Sequence, residues 1–142
     1  MQGPLDGFKI LDLSAVLSGP LATAWLADQG AEVTKVEPLQ GDIVRHMGGG
    51  ASDITPSFLN ANRGKRSIAI DLKTDAGVQL VKTLAAEADV LVQNFRPGAI
   101  ERMGLGYGVI KSVNPGIVYC SISGFGETGP FAHKRVYDPV IQ

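Results

Sequence analysis

Short apolar segments alternate with amphipathic segments along the chain, and polar or glycine-bearing turns separate them. The short apolar segments have the length and composition of β-strands. The predicted strands are residues 8–13, 31–37, 67–72, 89–93 and 117–122. Strands that alternate with helices are typical of a parallel sheet covered by helices. The pattern therefore predicts an α/β fold: a Rossmann-like, open and mainly parallel sheet with helices on both faces.

Helical spacing of apolar residues marks the segments between the strands. The predicted helices are residues 21–29, 75–88, 97–103 and 107–113. Pro20 suits the first turn of the first helix, Gly30 its carboxyl end, and Thr74 the N-cap of the second helix. The predicted buried stripe of that second helix is Val78, Leu80, Val81 and Leu84. Residues 41–64 are polar and rich in glycine, and they predict a long surface loop or a broken helix.

Each predicted strand ends in a polar or glycine-bearing turn. These turns are residues 14–19, 37–41, 73, 94–98 and 124–129. In an open parallel sheet the carboxyl ends of the strands share one edge, and ligands bind in the crevice outside that edge. The arrangement of the turns predicts a ligand site there.

The last of these turns contains Gly124, Gly126 and Gly129, which match the spacing G-x-G-x-x-G of a dinucleotide-binding loop. That motif requires a helix that opens at the third glycine and an acidic residue about 20 positions further on. Pro130 follows the third glycine at once, and the chain has too few residues left for the acidic position. We therefore interpret the segment as a turn-rich crossing loop.

Composition narrows the class of protein. The chain has 142 residues, enough for one domain, and 13 basic against 14 acidic residues give a formal net charge of −1. Such a balance offers no electrostatic surface for nucleic acid or an anionic membrane. The single cysteine, Cys120, falls in an apolar strand pattern, which predicts a buried and inert thiol. With no signal peptide and no apolar run of membrane-spanning length, the sequence predicts a soluble, cytoplasmic protein.

A series of short motifs along the chain indicates its class more specifically than composition does. In chain order they are Pro4-Leu5-Asp6-Gly7, Ile10-Leu11-Asp12-Leu13, Ser18-Gly19-Pro20, Gly30-Ala31-Glu32-Val33, Lys35-Val36-Glu37, Gly41-Asp42 with Arg45, Asn62 with Lys65-Arg66-Ser67-Ile68, Asp71-Leu72-Lys73, Asn94-Phe95-Arg96-Pro97-Gly98, Gly104-Leu105-Gly106-Tyr107 and Ser121-Ile122-Ser123-Gly124-Phe125-Gly126. This series resembles the start of the family III CoA-transferases. That group includes formyl-CoA transferase, carnitine CoA-transferase and α-methylacyl-CoA racemase. The resemblance covers essentially the whole chain.

The resemblance implies a coenzyme A (CoA) thioester site on the carboxyl edge of the sheet. In the family the matching positions lie beside CoA; here they are Leu17, Ser18, Pro38, Ile70, Asp71, Leu72, Lys73, Asn94, Phe95, Arg96, Arg102, Lys134, Arg135, Val136 and Tyr137. Their chemistry suits the ligand, because CoA phosphates attract cations and its adenine packs on apolar or aromatic walls. CoA or acyl-CoA would enter as substrate, with no covalently bound cofactor and no metal.

Tyr137 separates the branches of this family. The racemase branch has, at the matching position, a histidine that acts as a base in exchanging the α-proton of the acyl group. Tyrosine, whose ordinary pKa is about 10, is a poor base at neutral pH. His46 and His133 do not occupy the matching position. The sequence therefore favours a CoA-transferase, and a racemase-like enzyme or a non-catalytic module that binds CoA or a nucleotide are the alternatives.

Transferases of this family use an aspartate that attacks the acyl-CoA thioester, forms an acyl anhydride and then becomes an aspartyl-CoA thioester. In the family that aspartate lies beyond the position of Gln142, so we interpret Asp138 as a structural carboxylate and assign no catalytic residue. Residues 1–142 are thus predicted to be an N-terminal CoA-binding, Rossmann-like domain, truncated before the catalytic aspartate and a second domain. The expected partners are an acyl-CoA, a carboxylic acid, and either a second copy in an interlocked dimer or a companion chain.

Overall fold

A computed structural model of the chain describes residues 3–47 and 54–136. Its centre is a sheet of five parallel strands in the order β3-β2-β1-β4-β5. The strands are β1 (Lys9–Asp12), β2 (Glu32–Glu37), β3 (Arg66–Ala69), β4 (Val90–Gln93) and β5 (Val118–Ser121). The chain first adds strands on one side of β1 and then crosses to the other, so the order reverses between β1 and β4. This reversal creates the crevice where open α/β sheets bind ligands.

Helices connect the strands. They are α1 (Ser18–Asp28), α2 (Pro56–Asn62), α3 (Asp75–Ala86), α4 (Ala99–Arg102) and α5 (Tyr107–Val113), with a 3-10 helix at Ile43–His46. Thr74 is the N-cap of α3, as predicted, and its side chain accepts a hydrogen bond from the backbone N–H of Gly77. Among the described residues, no helix combines the length and the apolar character needed to cross a bilayer.

Two apolar clusters lie on opposite faces of the sheet, because neighbouring residues of a strand point to opposite sides. Ile10 belongs to the cluster that packs against Leu26 of α1. Leu11 belongs to the other, which contains Val81 of α3 and Ile110 of α5. The predicted fold class, an open α/β sheet with helices on both faces, is confirmed.

The region predicted as a long loop or a broken helix contains regular structure on both sides of residues 48–53, which lie outside the described part. The 3-10 helix begins after Asp42, whose side chain accepts a hydrogen bond from Val44 N–H. α2 begins after Thr55, whose side chain accepts from Phe58 N–H, and Pro56 occupies its first turn. The capping residues and Pro56 were the sequence signals for these short helices.

Two burial predictions were wrong. Leu80 on α3 is 42 % exposed, because the buried face of the helix passes through Gly77, Val81 and Ala85 instead. Cys120 is exposed, and Val118 of the same strand is 60 % exposed. β5 is an edge strand of the sheet, so its apolar residues lack the covering that a central strand receives.

Candidate functional site

A cleft of about 300 Å³ opens at the carboxyl edge of the sheet, where the sequence predicts a ligand site. Its walls come from the turns that follow β1, β2 and β3, at residues 13–15, 38–40 and 70–73, together with Phe95 after β4. Met103, just beyond α4, also lines the cleft, as do Lys35, Val36, Glu37 and Asp42. The cleft therefore lies beside the point where the strand order reverses.

Of the fifteen candidate residues, six line this cleft. They are Pro38, Ile70, Asp71, Leu72, Lys73 and Phe95. Ile70 is buried and forms part of the apolar core beneath the cleft, with Leu72 and Phe95 packed against that core. Lys73 is exposed at the rim. This combination offers apolar walls for a planar ring and a cation for an anionic group.

The other candidates surround the cleft or lie away from it. Leu17 and Ser18 are exposed at the start of α1, and Arg96 and Arg102 are exposed before and at the end of α4. The structure gives these four no direct place in the cleft lining. Asn94 has a different role, because its side chain exchanges two hydrogen bonds with the backbone of Ala15, at 2.9 and 2.8 Å. It links the turn after β4 to the turn after β1.

The candidates near the end of the chain lie on the crossing loop. Lys134 is exposed, with its Nζ 4.2 Å from the centre of the Phe131 ring, and Arg135 is exposed as well. Val136 packs so closely on Gly124 that a Cβ there would lie 2.1 Å from Val136 Cγ2. Tyr137 lies outside the described residues. No helix opens at Gly129 in residues 129–136, which agrees with the interpretation of this segment as a crossing loop.

The turn between β1 and α1, residues 14–17, is called here the β1–α1 turn. Within the described ranges, Val16 is the one non-glycine residue with a positive φ, at 68°. Ser14 anchors the beginning of the turn, because its backbone N–H and its hydroxyl both donate to Asp12 Oδ1. Gly19 allows α1 to approach, since a Cβ at that position would stand 2.3 Å from Ser14 Oγ. The turn is thus fixed from several directions.

A buried ion pair supports the same turn from below. Lys35 Nζ lies 3.0 Å from Asp42 Oδ2, and each side chain is 1 % exposed. Lys35 Nζ also donates to the carbonyl oxygen of Ser14 at 2.9 Å. The Asp42 carboxylate accepts the backbone N–H of Val16, with both oxygens at 3.3 Å. The pair therefore contacts the turn at Ser14 and at Val16, on either side of Ala15.

A second buried ion pair joins β1 to α1 and α2. Lys65 Nζ lies 2.9 Å from Asp12 Oδ2 and donates to the Pro20 carbonyl and to Asn62 Oδ1. Thr23 Oγ1 donates to the same carboxylate oxygen at 2.7 Å. Burial lowers the pKa of the Lys65 ammonium, and the neighbouring Asp12 carboxylate acts in the opposite direction. These groups bind one another, so their role is to hold β1, α1 and α2 together beside the cleft.

Glu37, at the end of β2, forms a third pair. Arg45 Nε and Nη2 each donate to one Glu37 oxygen at 2.7 Å, and the Arg45 guanidinium lies 3.7 Å from the centre of the Phe58 ring. Burial acts to raise the pKa of the Glu37 carboxyl, but hydrogen bonds from Arg45, Ser67 and the Asp42 backbone lower it to about 2. Glu37 is therefore ionised at neutral pH, and it anchors the 3-10 helix beside the cleft.

Sequence reasoning missed the three ion pairs as parts of the site. A signal for them was present in β2, where Lys35 and Glu37 follow Val33 on one face of a strand predicted to be buried. Charged residues at such positions require partners. Among residues 3–47 and 54–136, no cluster of three or more His, Cys, Asp or Glu side chains could hold a metal ion. The cleft is suited to an organic ligand with apolar and anionic parts.

Comparison with known proteins agrees with this geometry. The family model for CoA-transferase family III matches residues 5–142. A succinyl-CoA:glutarate CoA-transferase of Mus musculus is 50 % identical over 139 residues, which cover 96 % of this chain and 32 % of the relative. An acyl-CoA transferase of Fusarium pseudograminearum is 49 % identical over 149 residues, and the match covers 98 % of this chain and 33 % of the relative.

Among solved structures, the crystal structure of a CAIB/BAIF family protein from Brucella suis superposes with a TM-score of 0.94 at 44 % identity. The match covers 100 % of this chain and 39 % of that protein. The chain spans about a third of the length of the curated relatives named above, 32 % and 33 %.

Proposed function

The chain belongs to CoA-transferase family III, and on that premise we propose that it supplies the CoA-binding part of an enzyme that transfers CoA between an acyl-CoA thioester and a carboxylic acid. The observation that carries the proposal is the cleft at the carboxyl edge of the sheet, beside the reversal between β1 and β4. Six of the residues that the family resemblance assigns to CoA line it.

The lining suits the adenosine end of CoA. Ile70, Leu72 and Phe95 offer apolar contacts for the adenine ring, and Lys73 at the rim offers a cation for the phosphates. Arg96 and Arg102 are exposed, and each is the sequence neighbour of a lining residue, Phe95 or Met103. We propose that these two arginines add positive charge for the phosphate groups. Leu17 and Ser18 would then lie along the path toward the thioester. The roles of Lys134, Arg135, Val136 and Tyr137 stay predictions of the resemblance.

We further propose that the catalytic aspartate and the acid-selecting groups are supplied by residues outside this chain, either in a longer protein or in a companion chain. A homodimer, interlocked as the resemblance implies, is part of the same proposal, as is a cytoplasmic location. The mouse relative is named for succinyl-CoA and glutarate. A dicarboxylic acid is therefore the acceptor class to test first once the catalytic part is present.

The test is calorimetric titration of the purified chain with CoA and, in parallel, with NAD. We expect CoA to bind and a Lys73→Ala/Arg96→Ala variant to bind about tenfold more weakly, because each removed cation loses a charge-assisted contact with phosphate. The control is Lys82→Ala/Lys111→Ala, which removes the same charge from α3 and α5, away from the cleft. Equal loss in both variants, or no binding of CoA, would contradict the proposal. Equal binding of NAD would favour a general nucleotide-binding module.

A further inference from the structure

The β1–α1 turn has a backbone conformation that its sequence does not favour. Val16 has a φ of 68°, in the left-handed region. A β-branched residue rarely adopts this conformation, because its Cβ substituents crowd the backbone there. Val16 is also exposed, so packing of its own side chain does not compensate for the strain. The neighbours of the turn must therefore hold it in place.

The ion pair of Lys35 and Asp42 lies where it can hold the β1–α1 turn in place. Lys35 donates to the Ser14 carbonyl, and Asp42 accepts the Val16 N–H, so the pair contacts both sides of the Ala15 residue. Asn94 completes the arrangement with its two bonds to Ala15. Together these bonds engage the Ser14 carbonyl, both backbone groups of Ala15 and the Val16 N–H, all outside any helix or strand.

A buried ion pair is a poor source of net stability, because removing both charges from water costs about as much as their attraction returns. Its better attested use is to specify one conformation among several. We propose that Lys35 and Asp42 are positioning residues, whose buried ion pair holds the β1–α1 turn in its left-handed conformation and thereby sets the affinity of the cleft for CoA. This inference rests on the proposed function above.

The link to affinity follows from the position of the turn. Ser14 and Ala15 line the cleft, and so do Lys35 and Asp42. Leu17 and Ser18 come directly after Val16, so a change at Val16 redirects the residues that lead into α1. If the left-handed turn is populated only in part, the apparent dissociation constant rises by the inverse of that populated fraction.

The first pair of variants changes only the exposed Val16. Glycine adopts a positive φ without steric cost, so we expect Val16→Gly to bind CoA within about threefold of the unaltered chain. Proline fixes φ near −65° and removes the N–H that Asp42 accepts, so we expect Val16→Pro to bind at least about tenfold more weakly. Equal affinity of the Pro and Gly variants would overturn the proposal.

The second variant removes the ion pair. In Lys35→Met/Asp42→Ser, serine can still cap the 3-10 helix but lacks the length and charge to reach Val16. We expect CoA affinity to fall by at least about tenfold while the midpoint of urea unfolding changes little. Adding Val16→Gly to this variant should restore most of the affinity, since glycine needs no clamp. A purely structural role of the pair would give no such rescue, and unchanged affinity without the pair would overturn the proposal.

Amide hydrogen exchange at Val16 separates this inference from the proposed function, because it needs no ligand. We expect the Val16 amide to be protected in the unaltered chain and to exchange at least about tenfold faster in Lys35→Met/Asp42→Ser. Equal protection in both would overturn the clamp even if CoA binds. Loss of protection together with no CoA binding to the unaltered chain would support the clamp and overturn both the proposed function and its link to CoA affinity.

Discussion

At the scale of single residues, the cleft is shaped by ion pairs within the protein, and Lys35, Glu37 and Asp42 from these pairs line it. Three ion pairs, Lys35–Asp42, Glu37–Arg45 and Lys65–Asp12, lie beneath or beside it. The structure gives every buried side-chain nitrogen and oxygen of the described residues a hydrogen-bond partner. Because such groups are costly to bury alone, each pair ties the elements that carry it to one another.

The Glu37 carboxylate makes stability depend on pH. Its pKa is about 2 in the folded chain against an ordinary value of 4.5. A depressed carboxyl pKa stabilises the folded state fully above about pH 4.5, and this contribution is lost as the pH falls from 4.5 toward 2. We expect Glu37 to account for a loss of about 2 kcal/mol between pH 5 and pH 3. Urea unfolding at several pH values measures it.

The matched control for this prediction is Glu37→Gln, which removes the titrating group. Its free energy of unfolding should fall less steeply between pH 5 and pH 3 than that of the unaltered chain, by the same amount. The same slope in both chains would show that other carboxyl groups cause the pH dependence.

At the scale of elements, helix starts were predictable where a short polar side chain precedes an apolar stripe. Thr74 caps α3, and its hydroxyl also donates to the Asp71 carbonyl at 2.9 Å. This places α3 directly after the turn that forms one wall of the cleft. Gly77 allows the close contact, because a Cβ there would lie 2.0 Å from the Asp71 carbonyl oxygen.

Replacing the cap should weaken α3 in a simple way. We expect Thr74→Ala to lower the free energy of unfolding by about 1 kcal/mol, since the Gly77 N–H loses its acceptor. Thr74→Ser keeps the hydroxyl and should cost much less. Thermal or urea unfolding of the two variants measures the difference. Equal stability of the alanine and serine variants would mean that the cap contributes nothing.

The elements that the sequence predicted least well are the short ones between β2 and β3. The 3-10 helix has four residues and α2 has seven, and both lie in a polar, glycine-rich region that predicts a loop or a broken helix. Their stability comes from tertiary contacts, such as the bond from Thr55 Oγ1 to the Val44 carbonyl at 2.7 Å. Periodicity alone could not find them.

At the scale of the whole molecule, several large apolar side chains remain uncovered. Trp25 on α1 is 57 % exposed, and Leu59 on α2 and Val118 on the edge strand β5 are exposed as well. An edge strand also presents unpaired backbone groups that invite a further strand. These surfaces support the proposal that the chain self-associates or requires a companion chain.

Light scattering coupled to size-exclusion chromatography, at several protein concentrations, tests whether the chain self-associates. We expect a mass above that of one chain, rising with concentration, because apolar surface and the β5 edge favour contact. Val118→Lys should reduce association if the β5 edge mediates it, whereas Val109→Lys on α5 introduces the same charge away from that edge. A monodisperse monomer at all concentrations would contradict the proposal.

The sequence by itself determined the strand–helix alternation, the parallel α/β fold and the edge at which the cleft lies, because apolar periodicity and turn residues are local properties of the chain. Its motifs also pointed to the family that the chain belongs to. Tertiary structure alone decided which candidates line the cleft and that Cys120 lies on an exposed edge. It also decided the pairing of Lys35 with Asp42, Glu37 with Arg45 and Asp12 with Lys65. Asp12 and Lys65 are 53 positions apart, and the strand order places Cys120 at the edge of the sheet. The other two pairs depend on how the turn after β2 folds the 3-10 helix back toward that strand. None of these arrangements leaves a periodic pattern in the sequence.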